Sequence, residues 1–233
     1  MKIDLFDRYD IRTRICAFIF IVSPFLLDAY IFVDAVRNFS TTVIITAILI
    51  ASSGLFTCWI RYCGNNVKQK DYIAESLVSG SNEISEISRK RYLDKLVRLE
   101  PTFAGLTCTD AAVSRDTANS VSAWLREKTR GDKFKLIHEE NLNYGFIRNI
   151  SSVKTVFLDC FTAYNVLLLL VLIWTNWDIT PKTYFQTIPA EHVLCGLLHV
   201  AFYLVWILGI NEAVLDFAAG KYAKAVLHAI DEL

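Results

Sequence analysis

The sequence predicts an all-α membrane protein with four transmembrane helices and a mainly helical domain between the second and third of them. Of its 233 residues, 54% are hydrophobic and the mean hydropathy is +0.36, which is too apolar for a soluble domain of this length. Four segments have the roughly 20 apolar residues that a helix needs to cross a bilayer. The basic residues are concentrated in three of the segments outside them.

The four predicted spans form two hairpins. Residues 15–33 and 41–60 are joined by the short segment DAVRNFS, and residues 156–174 and 193–210 are joined by a longer polar loop. The sequence therefore predicts three parts. They are residues 1–62 with the first hairpin, residues 63–155 as a helical domain, and residues 156–233 with the second hairpin and a C-terminal helix.

The distribution of basic residues predicts the orientation. Of the 24 lysines and arginines, 22 lie before the first span, between the second and third spans, or after the fourth. The two others, Arg37 and Lys182, lie one in each hairpin loop. Basic residues favour the cytoplasmic side of a membrane. We therefore expect a multi-pass protein of the bacterial inner membrane with both termini and the middle domain in the cytoplasm.

The middle domain contains two clear helix patterns. The first, SNEISEISRKRYLDKLVRLEP, has Ser81 or Asn82 as a candidate N-cap, and the second, TDAAVSRDTANSVSAWLREKTRG, has Thr109 or Asp110. The following segment FKLI is compatible with a short strand or with a buried turn of helix.

The predicted C-terminal helix carries a narrow row of small residues at helical spacing. Its members are Val214, Ala218, Tyr222, Ala225 and Ala229. Rows of this kind allow close helix packing, either within the chain or between copies, and we favour packing between copies.

The second span carries a row of hydroxyl side chains on one face. Thr42, Thr46, Ser53 and Thr57 recur at spacings of 4, 7 and 4 residues, which places them within an arc of about 60°. Hydroxyl residues in membrane helices commonly mark helix–helix contacts, so packing within the bundle is one interpretation. The other is that this face lines a pore formed by several copies, with Leu49 as a hydrophobic gate.

Two ionisable side chains lie inside predicted spans at a similar depth. At 1.5 Å per residue, Asp28 lies about 20 Å from the cytoplasmic end of the first span, and His199 lies about 9 Å from the outer end of the fourth. Ionisable residues inside a membrane are costly and commonly functional. One hypothesis is that Asp28 and His199 face each other or a shared aqueous cavity; the other is that Asp28 is simply an interfacial residue.

Other polar residues lie toward the inner side of the membrane. Asp159 and Asn165 lie in the third span, and Glu212 and Asp216 follow the fourth. Acidic residues at the inner mouth of a channel attract cations. Ordinary solvation at the membrane surface is the alternative interpretation.

The fourth span also contains three residues of metal-binding types. His192, Cys195 and His199 share one helix face, and imidazole and thiolate ligands suit zinc. A fourth ligand, such as Asp28, would have to come from another helix. Because one helix rarely supplies three ligands in a lipid environment, the sequence predicts no metal site and no cofactor.

The middle domain contains two groups of basic residues. They are Arg89, Lys90, Arg91, Lys95 and Arg98, and then Arg126, Lys128, Arg130, Lys133 and Lys135. Such groups bind a nucleotide, a nucleic acid or the acidic surface of a partner. The alternative is an interaction with anionic lipid at the cytoplasmic face.

Common catalytic motifs are absent from the sequence. The segments GNNVKQK and SGSN do not fit a phosphate-binding loop, and neither a nucleophile elbow nor an HExxH motif occurs. We therefore do not expect an enzyme.

The order of the spans, the basic middle domain and the small size resemble the small four-span pore-forming effectors that accompany bacterial anti-phage systems. The resemblance covers this architecture and no specific motif. It implies a homo-oligomeric pore, for which we favour a tetramer, that passes inorganic ions and depolarises the inner membrane. The cytoplasmic domain would respond to a cytosolic partner protein or to a nucleotide or oligonucleotide signal. The alternative is a non-conducting membrane anchor or sensor that recruits a soluble partner or nucleic acid through its basic face.

Overall fold

The computed structural model describes residues 8–67, 70–78, 84–103, 113–131, 133–177, 183 and 187–233. These residues form helices joined by turns, and they contain no strand. In chain order the helices are α1 (Cys16–Phe32), α2 (Phe39–Asn66), α3 (Tyr72–Leu77), α4 (Glu86–Leu99), α5 (Arg115–Lys128), α6 (Lys135–Ser152), α7 (Lys154–Thr175), α8 (Ala190–Leu204) and α9 (Glu212–His228). A π-helical turn, Ile11–Ile15, precedes α1, and another, Val205–Gly209, follows α8.

The helices group into two compact units. Residues 1–67 and 146–211 form one, called here the span unit, and residues 68–145 and 212–233 form the other, called the polar unit. The C-terminal helix α9 therefore groups with the middle region, although the sequence-based division placed it with the second hairpin.

Four helices of the span unit are long and apolar enough to cross a membrane. They are Ile11–Phe32, Ser40–Asn66, Lys154–Thr175 and Ala190–Gly209, and each overlaps one of the four predicted spans. Large apolar side chains on these helices are exposed, for example Leu55 at 80% and Leu208 at 66%. A surface of this kind suits contact with lipid.

Aromatic side chains fill the core of the span unit. The fully buried Trp206 stacks on Phe157, with ring centroids 4.0 Å apart, and on Phe20 at 5.5 Å. Phe161 is also fully buried and joins the same cluster. These contacts hold α1 and α7 against the end of the fourth candidate span and fix the rotation of each helix.

Pro24 lies inside α1 and removes one backbone donor. The carbonyl that loses its partner is that of Phe20, four residues earlier. The Ser23 hydroxyl donates to this Phe20 oxygen at 2.9 Å. The helix therefore tolerates the proline in an apolar setting, where an unpaired carbonyl would be costly.

The backbone of α2 makes a close approach at Gly64. A Cβ atom at this position would lie 2.9 Å from Oδ1 of Asn149. Asn149 is 2% exposed, and its amide nitrogen donates to the Thr13 carbonyl at 2.9 Å. Glycine has no Cβ atom, so position 64 leaves room for the Asn149 side chain.

The polar unit has its own apolar core, built from buried side chains of α3, α4, α5 and α9, with Phe134 and Ile137 beside them. Helices α4 and α5 begin after Ser85 and Ser114, whose hydroxyls accept from the third residue beyond. The candidate caps Ser81, Asn82, Thr109 and Asp110 lie outside the described residues. The segment FKLI leads into α6 and is helical from Lys135 onward.

The row of small residues on α9 packs within the chain. Ala225 and Ala229 are 7% and 4% exposed in the core of the polar unit, and Tyr222 packs against the same core. The expectation that this row joins copies of the protein is therefore wrong for these residues. Their small side chains let α9 lie close to its neighbours within the unit.

Candidate functional site

Polar side chains from three helices of the span unit meet at one buried position. Asp28 of α1 is 1% exposed, and Cys195 and His199 of α8 are 2% and 6% exposed. Cys195 and His199 are four residues apart, so they share one face of α8. The structure thus brings Asp28 and His199 together, as their common depth in the sequence suggested.

Asp28 is the centre of this cluster. Its Oδ1 accepts a hydrogen bond from Cys195 Sγ at 2.7 Å and lies 3.0 Å from Nε2 of His199. Its Oδ2 accepts from the Tyr164 hydroxyl at 2.7 Å. The Sγ of Cys195 also lies 3.7 Å from Nε2 of His199. Both carboxylate oxygens are therefore satisfied by side chains of other helices.

Asn165 fixes the orientation of the His199 ring. The Asn165 amide nitrogen donates to the Phe161 carbonyl at 2.7 Å, so its oxygen faces His199. That oxygen lies 2.6 Å from Nδ1, which must carry a proton to make the hydrogen bond. Nε2 is then directed at Asp28, and a single proton between Nε2 and the carboxylate satisfies both groups.

One shared proton is enough to leave the Asp28–His199 pair without net charge. With one proton shared by Asp28 and His199, the pair is either two neutral groups or a carboxylate beside an imidazolium. An unpaired aspartate at the centre of a membrane helix costs about 3 kcal/mol. The neutral, fully hydrogen-bonded arrangement explains how α1 carries Asp28 in an apolar bundle.

A cavity of about 300 Å³ reaches the cluster from the side of α7 and α8. His199, Cys195 and Asn165 are part of its wall, which is otherwise mostly apolar. His192 also lines this cavity, and its Nδ1 is buried without a hydrogen-bond partner among the described residues. The polar cluster therefore borders a space large enough for water or a small ligand.

The hydroxyl row on α2 is divided between two environments. Ser53 and Thr57 are 6% and 8% exposed, so they are packed inside the span unit. Thr42 and Thr46 are exposed, and Leu49 between the two pairs is half-buried. The hydroxyls of Thr46 and Ser53 donate to carbonyls of their own helix, at 2.8 and 2.7 Å. In a single chain, only the half of the row that contains Thr42 and Thr46 is open to a lumen or a neighbouring copy.

The other acidic candidates are not members of this cluster. Asp159 is exposed on α7, in contrast to Asp28. Glu212 and Asp216 are exposed on the first turns of α9 and belong to the polar unit.

Several of the basic candidate residues form ion pairs or hydrogen bonds within the polar unit. Arg89 is 3% exposed, its Nε donates to the Ser76 carbonyl at 3.1 Å, and it pairs with Glu86. It is therefore a structural residue and not a ligand-binding one. Arg91 and Lys95 both pair with Asp231, at 2.8 and 2.7 Å.

The second basic group is more exposed. Arg126 pairs with Asp71 at 3.0 Å, and Lys133 donates to the Glu232 carbonyl at 2.7 Å. The remaining exposed basic candidates are Lys90, Arg98, Lys128, Arg130 and Lys135. These five side chains are the part of the basic surface best placed to meet a soluble anion.

Tyr164 is the member of the cluster that the sequence did not reveal. It stands directly before Asn165 in α7. Its hydroxyl, in the middle of an apolar span, is the signal in the sequence that points to a partner, because a buried tyrosine hydroxyl usually has one.

Comparison with protein-family models, with curated proteins and with solved structures found no match to this chain. Its function is therefore inferred from its own side chains and their geometry.

Proposed function

We propose that the protein is an oligomeric ion-conducting membrane pore. Its four spans lie in a bacterial inner membrane, with both termini and the middle region in the cytoplasm. A cytosolic partner protein or a nucleotide signal opens it, and inorganic ions then depolarise the cell, as in an effector of anti-phage defence.

The observation that carries this proposal is the buried Asp28–His199 pair. Three helices contribute polar groups to it within the apolar part of the span unit, and a cavity of about 300 Å³ borders it. Ionisable residues that meet inside a membrane beside a cavity commonly mark an ion or proton pathway. A protein that only needed to be anchored would be more stable with apolar residues at these positions.

The open half of the hydroxyl row supports assembly of several copies. Thr42 and Thr46 are exposed on α2, next to exposed apolar side chains such as Ile44 and Ile48. Hydroxyl side chains on membrane helices commonly lie at helix–helix contacts, and a second copy packed against this face would provide such a contact. In a tetramer, one α2 helix from each copy would present Thr42, Thr46 and the half-buried Leu49 to a common axis.

The charge distribution supports the orientation and the control of the pore. The concentration of basic residues in residues 63–155 and after the fourth span supports a cytoplasmic location for both segments. The five exposed basic side chains named above offer a surface for an anionic signal. The Nζ atom of Lys128 lies 5.6 Å from the centroid of the Trp124 ring, so an aromatic face adjoins this positive charge.

A non-conducting membrane anchor is the second candidate. The cluster favours this candidate, because both carboxylate oxygens of Asp28 already have hydrogen-bond partners within the chain. The inner half of the hydroxyl row also packs within the span unit. In this case the four spans tether the polar unit, whose basic surface recruits a soluble partner or nucleic acid.

Membrane potential in living cells separates the two candidates. The full chain is expressed in bacteria as wild type, Asp28→Asn and Asp159→Asn, at matched levels in the membrane fraction, with a potential-sensitive dye as the readout. A pore that uses the buried pair predicts depolarisation by wild type and Asp159→Asn and a clear loss with Asp28→Asn. Unchanged potential with well-expressed wild type would favour the anchor.

A further inference from the structure

We propose that Asp28, Cys195 and His199 form a binding site for a divalent transition-metal ion, with zinc as the best match. The inference concerns binding alone and holds whether or not the protein conducts ions.

The three donor atoms have the spacing of a metal site. Asp28 Oδ1, Cys195 Sγ and His199 Nε2 form a triangle with edges of 2.7, 3.0 and 3.7 Å. A point about 1 Å above the plane of this triangle lies about 2.0 Å from the oxygen and the nitrogen and about 2.3 Å from the sulfur, which are the usual lengths of zinc bonds to these atoms. All three residues are buried, so water does not compete for most of their surface.

The chemistry of the donors also selects the metal. A carboxylate, a thiolate and an imidazole are the three ligand types of zinc proteins, whereas calcium and magnesium prefer oxygen alone. The sequence had suggested His192 with Cys195 and His199, all from one helix. The structure replaces His192 by Asp28, so the ligands come from α1 and α8.

The exchange of protons for metal conserves charge. Without metal, Cys195 carries its thiol proton, and Asp28 and His199 share one further proton. Binding of one Zn²⁺ displaces both protons to solvent and leaves a carboxylate, a thiolate and a neutral imidazole around the ion. The site is neutral before and after, which matters because a net charge is costly in an apolar bundle.

Two neighbouring side chains already hold the ligands in place. Tyr164 donates to Asp28 Oδ2, the carboxylate oxygen that is not part of the triangle, at 2.7 Å. Asn165 accepts from His199 Nδ1 at 2.6 Å, which leaves Nε2 as the metal-binding nitrogen. Outer partners of this kind orient ligands in metal sites, and their loss typically lowers affinity 10- to 100-fold.

The cavity provides access and a fourth position. Its wall includes Cys195 and His199, so an ion that enters it meets both ligands. A three-ligand zinc site keeps one position for water or another small molecule.

Cobalt and zinc titrations test the site. The purified full chain in detergent is stripped with a chelator and titrated with Co²⁺, whose thiolate charge-transfer absorption reports a bound cysteine, and then with Zn²⁺. We expect one Co²⁺ per chain and its displacement by Zn²⁺. Cys195→Ser should abolish the thiolate absorption and weaken Zn²⁺ binding by more than 100-fold, and Asn165→Leu should weaken it about 10- to 100-fold.

Matched variants separate this site from other cysteines. Cys160 is exposed on α7, so Cys160→Ser should keep both the absorption and the affinity, and so should His192→Gln. Size-exclusion profiles identical to wild type show that the variants are folded. The inference is overturned if folded wild type binds no stoichiometric metal, or if Cys195→Ser binds it unchanged. Metal binding without ion flux would refute only the pore, and flux without metal binding would refute only this site.

Discussion

At the scale of single residues, Asp28 shows how a membrane helix carries an acid. The carboxylate receives hydrogen bonds from Tyr164 and Cys195 and faces His199, so none of its oxygens is left unsatisfied. Depth along the helices, which the sequence gives at 1.5 Å per residue, was enough to pair Asp28 with His199. It was not enough to find Tyr164, because the rotation of α7 depends on aromatic packing in the core.

Replacement of Asp28 by leucine should destabilise the span unit. The substitution leaves the Tyr164 hydroxyl, the Cys195 thiol and the His199 imidazole without their common partner. Breaking a buried pair in this way costs about 3 to 5 kcal/mol. The measurement is thermal unfolding in detergent, followed by tryptophan fluorescence.

Asp159 is the matched control for this prediction. It is the other aspartate inside a candidate span, and it is exposed. Asp159→Leu should therefore change stability by less than about 0.5 kcal/mol. Equal losses from the two leucine variants would show that the cluster around Asp28 does not stabilise the bundle.

The two glycines of α2 make a second residue-scale test. Alanine at Gly64 would place its Cβ 2.9 Å from Asn149 Oδ1, whereas alanine at Gly54 meets nothing within 4 Å. Gly64→Ala should lower the unfolding temperature, since the buried Asn149 must shift and weaken its bond to Thr13. Gly54→Ala should be neutral or raise stability by up to about 1 kcal/mol, because alanine favours the helix. A Gly64→Ala protein as stable as Gly54→Ala would contradict the close approach.

At the scale of helices, the sequence predicted where the apolar segments lie better than it predicted which face of each helix is buried. Twenty or so apolar residues define a span whatever it packs against, so the four candidate spans were predictable. The hydroxyl side chains of α2 lie on one face of the helix, but Ser53 is buried and Thr46 is exposed. This difference depends on tertiary packing, which the periodicity of the sequence does not contain. The small residues of α9 show the same limit, because their periodicity does not say which neighbour they contact.

The start of α3 depends on Asp71. Its carboxylate caps the helix by accepting from the backbone nitrogens of Ile73 and Ala74, and it also accepts from Ser122 on α5 at 2.8 Å. Asp71→Ala should destabilise the polar unit by about 2 kcal/mol, the upper range for loss of an N-cap. Chemical denaturation of the full chain measures this, with the exposed Asp94→Ala on α4 as the control. An Asp71→Ala loss no larger than that of the control would refute the role of Asp71.

Asp231 links α4 to the turn after α9 in a pH-dependent way. The hydrogen bond from Lys95, together with the charge of Arg91, holds the pKa of Asp231 below its ordinary value of 3.8. A lowered folded pKa means that the carboxylate stabilises the fold above pH 3.8 and loses this effect as the pH falls through the lower value.

The wild-type advantage over Asp231→Asn should therefore be largest near neutral pH and shrink below pH 3.8. Its size should be less than about 1 kcal/mol, since the pair is solvent-exposed. Unfolding of both proteins at a series of pH values measures it. A difference that grows on acidification would contradict the assignment.

At the scale of the whole molecule, the chain combines a span unit with exposed apolar helices and a polar unit with a core of its own. Hydropathy predicted the four apolar helices, but it did not predict that α9 belongs to the polar unit. Whether the span unit conducts depends on how copies assemble, which neither periodicity nor a single chain determines. The exposed Thr46 is the useful probe, because the buried Ser53 and Thr57 would disturb packing if they were enlarged.

Ion flux through liposomes that contain the purified protein tests the pore most directly. Wild type, Asp28→Asn, Thr46→Leu and Thr46→Ser are compared, with and without cytosolic extract as a source of partner or nucleotide. We expect flux in wild type, a strong reduction in Asp28→Asn and Thr46→Leu, and near-normal flux in Thr46→Ser, which keeps the hydroxyl. Absence of flux from correctly inserted wild type under both conditions would contradict the pore and leave the four helices as a membrane anchor.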